Sequence, residues 1–171
     1  QRELAPKALA LDEKGKYIKD IIKKTAELGL VGIITSGQYG GTGMGHLARM
    51  IMIEEFSRVY PSLGFFFQTG QIGMYTIENF GSDEMKKKYL PPLCRGDLTI
   101  ATGLTESGGG SDPASITSTA ELVGNEYVIN GRKVMISEAT VCDVCIVVAR
   151  VGDKFSAFLV ERGTPGFDTP R

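Results

Sequence analysis

The sequence is poor in the residues that build metal centres and disulfide-stapled folds. Its 171 residues contain no tryptophan, one histidine, His46, and three cysteines, Cys94, Cys142 and Cys145. A sparse, odd-numbered set of cysteines is typical of a reducing compartment rather than of a secreted disulfide scaffold. The first stretch, QRELAPKALALDEKGK, also lacks the apolar core of a signal peptide. We therefore expect a cytoplasmic protein, or one of the mitochondrial matrix if a transit peptide has been removed.

The chain also lacks an excess of one charge and a long apolar run. It carries 19 Lys and Arg residues against 20 Asp and Glu residues, for a net charge of -1. Nucleic-acid binding depends on clustered basic side chains, and the longest cluster here, Lys86–Lys88, suits a solvated helix face. No apolar stretch approaches the ~20 residues that a membrane-spanning helix needs. The sequence therefore predicts neither a nucleic-acid partner nor a membrane span.

Cys142 and Cys145 form a Cys-x-x-Cys pair, which is half of many zinc sites and the core of some redox motifs. The surrounding residues 141–149 read VCDVCIVVA, a β-branched and apolar run that predicts a strand. Positions three apart in a strand lie on opposite faces of the sheet. We therefore expect two buried structural cysteines rather than a metal site.

The first half of the chain shows helical periodicity interrupted by glycine and proline. Apolar residues recur at helical spacing over residues 18–28, and Gly29 follows as a stop signal. A second run, HLARMIMIEEFSRVY at residues 46–60, is apolar over most of its circumference. This run predicts a helix that is buried among others.

A third apolar run, LGFFFQTGQIGMYTIENF at residues 63–80, follows Pro61, and Gly81 marks its end. Ser82 is the predicted cap of a short helix, DEMKKKYL, and Pro91-Pro92 are expected to end that helix. Residues 1–97 are thus predicted to form an all-α helical bundle.

Beyond Asp97 the chain changes to short β-rich runs separated by turn signals. Gly124-Asn125, Asn130-Gly131 and Gly152-Asp153 are typical hairpin turns. We predict a β-meander with strands in ITSTAELV, EYVIN, KVMIS, CDVCIVVAR and KFSAFLVE.

Residues 43–48, GMGHLA, match one variant of the dinucleotide-binding fingerprint. That fingerprint requires a strand before its first glycine and an acidic residue about 20 positions later. Here a loop precedes Gly43, and no acid lies in YPSLGFFF, where it would fall. We interpret these residues as a structural turn, with Gly40 and Gly41 allowing close backbone approach and His46 near a helix start.

A second glycine-rich stretch, GLTESGGGSD at residues 103–112, is the stronger candidate for a ligand-binding loop, and we call it the glycine loop. Glycines let backbone amides approach a flat or anionic ligand without interference from a Cβ atom. Glu106 and Asp112 are either acid/base groups or acceptors that brace the loop, and their spacing favours bracing. Hydroxyl groups add donors without net charge; they belong to Thr102, Thr105, Ser107 and Ser111.

The glycine loop resembles the signature loop of acyl-CoA dehydrogenases, which usually has the form TEPGAGSD. Four further stretches resemble that family in the same order: QYGGTGMG, FGSDEMKKKYLPPLCRGDL, NGRKVMIS and GTPGF. The resemblance implies an α+β fold, with a helical N-terminal domain at residues 1–97. An antiparallel β-barrel-like middle domain, incomplete in this chain, is expected at residues 98–171.

The resemblance also implies that FAD lies across the barrel domain and that acyl-CoA reaches the same face. Carried over by position, the implied FAD-binding residues are Thr102, Leu104, Thr105, Ser111, Met135, Ile136 and Ser137. The implied substrate-binding residues are Gly110, Ser111, Phe65, Gln68 and Ile72. The bulky run Phe65–Phe67 indicates a short or cyclic acyl group, although ordinary helix packing is an equally good interpretation of it.

The sequence departs from the family pattern at two positions of the implied flavin site. Met135 stands where the family usually has tryptophan, so a flexible, polarizable side chain replaces an aromatic wall. Ser107 stands where the family usually has proline, which frees the backbone and adds a donor. Ser137 keeps a hydroxyl that can hydrogen-bond to the flavin.

In that family a carboxylate removes the α-proton of the thioester while hydride leaves the β-carbon for the flavin. The carboxylate belongs to a later helical domain, so we expect no catalytic residue here and interpret the chain as part of a longer protein. The resemblance thus implies FAD-dependent α,β-desaturation of an acyl-CoA in a homotetramer, with electrons passed to an electron-transfer flavoprotein or similar acceptor. The alternatives are a catalytically silent acyl-CoA or flavin binding module and an acyl-CoA oxidase of the same fold.

Overall fold

The computed structural model describes residues 3–15 and 17–170, which divide into two compact units, one up to Thr99 and one from Ile100 onward. The first unit is helical and the second is built on a sheet, as the α+β prediction requires. In the described ranges, no helix is both long and apolar enough to cross a membrane. The helices are α1 (Ala8–Lys14), α2 (Lys19–Glu27), α3 (Gly45–Ser57), α4 (Pro61–Phe80) and α5 (Asp83–Cys94).

The residues predicted to end or begin helices lie at helix ends in the structure. Gly29 follows α2 with a φ of 72°, a left-handed conformation that glycine adopts without strain. Gly81 caps the C-terminus of α4, and the Ser82 hydroxyl accepts a hydrogen bond from the Met85 amide at 3.2 Å. The helical core includes Leu63, Phe67 and Ile77 of α4, each at most 2% exposed.

Helix α5 does not end at its two prolines, contrary to the sequence prediction. It runs through Pro91 and Pro92 to Cys94. The fixed φ of proline is itself helical, so the cost is confined to lost amide donors and crowding of earlier carbonyls. Leu90 and Leu93, which are 0% and 2% exposed, hold this last turn in the core.

Helix α3 forms as predicted, but its burial does not match the prediction. Met52 is its buried residue, whereas Leu47, Met50 and Ile51 are 77%, 53% and 55% exposed. Within the described ranges, neighbouring helices cover one side of α3 and leave the rest of its apolar surface open. The apolar character of residues 46–60 therefore predicted the helix correctly and its environment wrongly.

The second unit contains a five-stranded sheet that is not closed. Strand β4 pairs in parallel with β1 and β2 and antiparallel with β5, while β2 and β3 form a hairpin. The sheet is therefore mixed rather than purely antiparallel. Residues 144–149 of β4 are mostly buried because neighbours flank it on both sides. The strands are β1 (Ile100–Gly103), β2 (Thr119–Val123), β3 (Glu126–Asn130), β4 (Val144–Val151) and β5 (Lys154–Glu161).

Three features of the predicted meander are wrong. Residues 133–137, predicted as a strand, are irregular, because Met135 has a φ of 54° that breaks the extended backbone. Residues 100–103, for which no strand was predicted, form β1 through a parallel pairing with β4. The hairpin turns at Gly124-Asn125 and Gly152-Asp153 are confirmed, whereas the one predicted at Asn130-Gly131 is wrong, because no strand follows β3 directly.

Cys142 and Cys145 are both buried, as predicted, but they are not on opposite faces of a strand. Strand β4 begins at Val144, and Cys142 precedes it in a turn where its amide donates to the Glu138 carbonyl at 2.8 Å. Strand alternation therefore does not apply to Cys142, and both cysteines pack in one cluster with Ala101 and Val147. The neighbouring Cys145 thiol and the nearby Arg162 guanidinium group lower the pKa of Cys142 below its ordinary value.

Candidate functional site

The glycine loop leaves β1 directly and folds back on itself. The Glu106 and Gly109 backbones exchange two hydrogen bonds, of 3.0 and 3.1 Å. A Cβ atom on Gly109 would lie 2.5 Å from the Ser115 hydroxyl, and one on Gly110 would lie 3.1 Å from the Thr105 methyl group. At Gly108 a Cβ would meet nothing within 4 Å. Two of the three consecutive glycines thus pack tightly, one against a side chain of the loop and one against Ser115 just after it, and the third leaves open backbone.

The buried carboxylate of Glu106 anchors the glycine loop to the rest of the sheet unit. Its side chain is 5% exposed and accepts hydrogen bonds from the amides and hydroxyls of Thr117 and Ser118. The Lys133 ammonium group completes the set at 2.7 Å from Glu106 Oε1. Burial raises the pKa of Glu106, but the hydrogen bonds from Lys133, Ser118 and Thr117 outweigh it and hold the pKa far below 4.5. A carboxylate so fully occupied cannot act as a base, and the bracing interpretation is confirmed for Glu106.

Asp112 braces the other end of the loop. Its Oδ1 accepts a hydrogen bond from the Ala114 amide at 2.9 Å, which caps a short 3-10 helix at Pro113–Ser115. The Asp112 carbonyl also accepts from the Ser115 hydroxyl at 2.6 Å. Bracing is therefore confirmed for this second acidic residue as well.

The segment at residues 133–137 lies against the glycine loop. The Val134 amide donates to the Thr105 carbonyl at 2.9 Å, and Lys133 Nζ donates to the Leu104 carbonyl at 3.3 Å. These contacts join two groups of residues that the sequence assigns to FAD binding and that lie some 30 positions apart. One group is Thr102, Leu104 and Thr105, and the other is Met135, Ile136 and Ser137.

The side chains of this second group point in different directions. Met135 is 87% exposed, and its positive φ is a strained conformation of the kind found at ligand sites. Ile136 packs against the buried cluster around Cys145, so its contribution to a ligand is limited to its backbone. Ser137 is half-buried, and Ser111 at the far end of the glycine loop is exposed.

Thr102 carries a hydroxyl oxygen with no internal partner. Its Oγ1 is buried, and no described residue donates or accepts a hydrogen bond there. An unsatisfied buried hydroxyl costs roughly 1–3 kcal/mol, so such groups are rare without a functional reason. Thr102 therefore carries a hydroxyl group beside the glycine loop that no described residue satisfies.

The substrate residues expected on the helical side share one surface of α4. Phe65 and Ile72 are 56% and 43% exposed, and Gln68 lies between them at helical spacing. Phe67, in contrast, is 1% exposed. The packing interpretation thus applies to Phe67, whereas Phe65 and Ile72 leave an open apolar surface.

The GMGHLA motif is a turn, as interpreted from the sequence. Gly43 and Gly45 have φ values of 60° and 80°, and α3 begins at Gly45. A Cβ atom on Gly41 would clash with the Thr35 carbonyl group, which accounts for that glycine by close backbone approach. Among the described residues, no group of three His, Cys, Asp or Glu side chains could hold a metal ion.

Each of the two units matches a known family model. The family model described as acyl-CoA dehydrogenase, N-terminal domain, matches residues 1–97, and the one described as acyl-CoA dehydrogenase, middle domain, matches residues 101–171. The chain belongs to the acyl-CoA dehydrogenase family. A probable acyl-CoA dehydrogenase of Bacillus subtilis (strain 168) is 44% identical over 153 residues, which cover 87% of this chain and 26% of that protein.

Solved structures of the acyl-CoA dehydrogenase family have the same fold. Glutaryl-CoA dehydrogenase from Mycobacterium smegmatis matches with a TM-score of 0.93 and 33% identity, over 98% of this chain and 44% of that one. An acyl-CoA dehydrogenase from Bacillus anthracis, complexed with FAD, matches with a TM-score of 0.91 and 36% identity, over 99% of this chain and 30% of that one. The chain thus spans less than half the length of these acyl-CoA dehydrogenases.

Sequence reasoning missed several residues that build the site. They are Lys133, in NGRKVMIS, and Thr117 and Ser118, which follow the glycine loop. All three hydrogen-bond to Glu106, from which they are 11 to 27 residues away in the sequence. Arg49 of α3, whose guanidinium group donates to the side chains of Gln68 and Gln71 on α4, was also missed. A single cation within the apolar run of α3 was the signal that would have singled it out.

Proposed function

We propose that the protein containing this chain is an FAD-dependent dehydrogenase of acyl-CoA thioesters, and that the glycine loop with residues 133–137 binds the flavin. The observation that carries the proposal is the buried, unpartnered Thr102 hydroxyl beside two loops that hydrogen bonds join. The flavin ring has polar atoms along its edge that suit this hydroxyl. FAD, when bound, supplies the acceptor for hydride from the substrate β-carbon.

The residues of this chain bind and orient rather than transfer protons. The Ser137 hydroxyl has no hydrogen-bond partner among the described residues and is free to donate to the flavin edge. Backbone groups of Leu104 and Thr105 frame the ring, while Ser111 and Gly110 lie at the exposed end of the loop, where we place the thioester and pantetheine. Phe65, Gln68 and Ile72 of α4 form the surface that we assign to the acyl end. The base that removes the α-proton comes from the remainder of the protein.

An electron-transfer flavoprotein or similar acceptor reoxidises the flavin in this proposal, and the enzyme is a homotetramer. The alternatives are an oxidase of the same fold and a silent binding module.

Purification of the full-length protein tests all three. We expect a yellow protein whose flavin band bleaches anaerobically on addition of short acyl-CoA thioesters.

Slow reoxidation of the reduced flavin by oxygen indicates a dehydrogenase, and fast reoxidation indicates an oxidase. Bound flavin that no thioester bleaches would favour the binding module. A colourless protein that takes up no added FAD would contradict the proposed function altogether.

A further inference from the structure

Arg49 is a cation without an anionic partner. Its Nε donates to Gln71 Oε1 at 2.8 Å, and its Nη2 donates to Gln68 Oε1 at 2.7 Å and to the Gln68 carbonyl at 3.3 Å. These acceptors are neutral, and no carboxylate within residues 3–15 and 17–170 forms an ion pair with Arg49. Partial burial between α3 and α4 lowers the pKa of Arg49, but arginine stays charged at neutral pH.

The guanidinium group fixes the orientation of both glutamine amides. Arginine has only donors, so each glutamine must turn its Oε1 toward Arg49 and its Nε2 away. Gln71 Nε2 then reaches the carbonyl groups of Leu30 and Val31, both at 3.4 Å. Gln68 Nε2 finds no acceptor among the described residues. Gln68 is thereby held as a hydrogen-bond donor.

This donor lies within an apolar surface. Phe65 and Ile72 flank Gln68 on α4, one turn before it and one turn after it, and both are exposed. A hydrocarbon chain packed there would meet aliphatic and aromatic groups at its sides. Beside them it would also meet an N–H donor backed by a full positive charge. Such a site favours a chain that carries an oxygen acceptor.

We propose that Arg49 determines substrate specificity by positioning Gln68, so that the enzyme prefers acyl groups with an oxygen acceptor, a carboxylate above all, at the end remote from the thioester. The inference rests on the proposed function, because it uses the α4 surface assigned there to the acyl end. Arg49 acts through Gln68 and through its charge. It is therefore a positioning residue, and its effect belongs to the choice between substrates.

Two thioesters of equal length test the inference on the full-length, FAD-loaded enzyme. Glutaryl-CoA and pentanoyl-CoA both have five acyl carbons and differ by a terminal carboxylate. We expect the wild-type kcat/KM, measured from flavin reduction, to be higher for glutaryl-CoA. Arg49→Met should lower the glutaryl to pentanoyl ratio by about tenfold, because a site built around polar groups discriminates by pairing them.

Further variants separate positioning from folding. Gln68→Glu keeps an acceptor for Arg49 but removes the donor and adds a negative charge that repels the terminal carboxylate of glutaryl-CoA. The glutaryl to pentanoyl ratio of this variant should therefore also fall. Arg49→Lys keeps the charge but cannot hold both glutamines, and an intermediate ratio is expected. Arg58→Met is the matched control, because Arg58 caps the same helix, pairs with Glu55 at the surface and should leave the ratio unchanged.

The outcomes distinguish this inference from the proposed function. If pentanoyl-CoA reduces the flavin and the ratio changes by less than about twofold in Arg49→Met, the specificity role is wrong while the dehydrogenase stands. A wild-type preference for pentanoyl-CoA has the same meaning. Flavin that neither thioester reduces overturns the proposed function, and the inference with it.

Discussion

Lys133 Nζ lies 2.7 Å from Glu106 Oε1, and the two side chains are only 10% and 5% exposed. Lys133 also donates to the Leu104 carbonyl, and Glu106 accepts from Thr117 and Ser118. One buried ion pair thus joins the glycine loop to residues 133–137 and to the start of β2. The proposed flavin site depends on this junction, although neither charged group faces the ligand in our assignment.

Glu106→Gln should destabilise the sheet unit because it leaves the Lys133 charge buried without an anion. Removing one partner of a buried pair typically costs about 3 kcal/mol. The measurement is urea unfolding of the full-length apo-protein, followed together with its FAD affinity, and both should fall. Glu121→Gln on β2 is the control, because Glu121 is exposed. Equal stability of the two variants would show that the pair contributes nothing.

The same pair predicts a dependence of stability on acidity. The pKa of folded Glu106 lies below its ordinary value of 4.5, so its contribution is fully present above that pH and is lost as the pH falls toward the folded pKa. The difference in unfolding free energy between wild type and Glu106→Gln should therefore shrink below about pH 4.5. Titration of stability from pH 7 to 3 measures it, and a constant difference would contradict the assigned pKa direction.

Local signals in the sequence predicted much of this fold, but pairings between distant residues were not predictable. Gly29, Gly81 and Ser82 mark helix ends because their effects act within one turn. The parallel pairing of residues 100–103 with β4 joins positions 44 apart and has no local signature. The Glu106 to Lys133 pair was missed for the same reason, since its partners are 27 residues apart.

Gly110→Ala should impair flavin retention, whereas Gly108→Ala should not. A Cβ atom at position 110 would lie 3.1 Å from the Thr105 methyl group, so the loop must shift at a residue proposed to frame the flavin. At position 108 the new methyl group meets open space. Surface changes of that kind usually stay within about 0.5 kcal/mol. The measurement is the FAD dissociation constant of each variant. Equal values would show that the contact between position 110 and Thr105 does not affect flavin binding.

Ser137→Ala should weaken flavin binding or shift the flavin reduction potential. The variant removes one hydrogen bond, worth about 0.5–1.5 kcal/mol net. Ser137 is half-buried with no described partner, so its loss should leave the stability of the apo-protein nearly unchanged. Ser156→Ala on β5 is a control for loss of a hydroxyl away from the loop. Titration with FAD and a redox titration measure the two properties, and no change in either would show that Ser137 is misplaced.

Thr102→Val should act in opposite directions on the apo-protein and on FAD binding. Valine has the shape of threonine but lacks the buried hydroxyl, which finds no partner among the described residues. The free energy of unfolding of the apo-protein should therefore rise by about 1 kcal/mol. If the flavin supplies the missing partner, the same change should weaken FAD binding by roughly 2- to 10-fold. Thr102→Ser keeps the hydroxyl and should keep the affinity. Thermal unfolding without FAD and titration with FAD give both quantities. A variant that is more stable and binds FAD as tightly as wild type would show that the Thr102 hydroxyl is a packing defect rather than part of the flavin site.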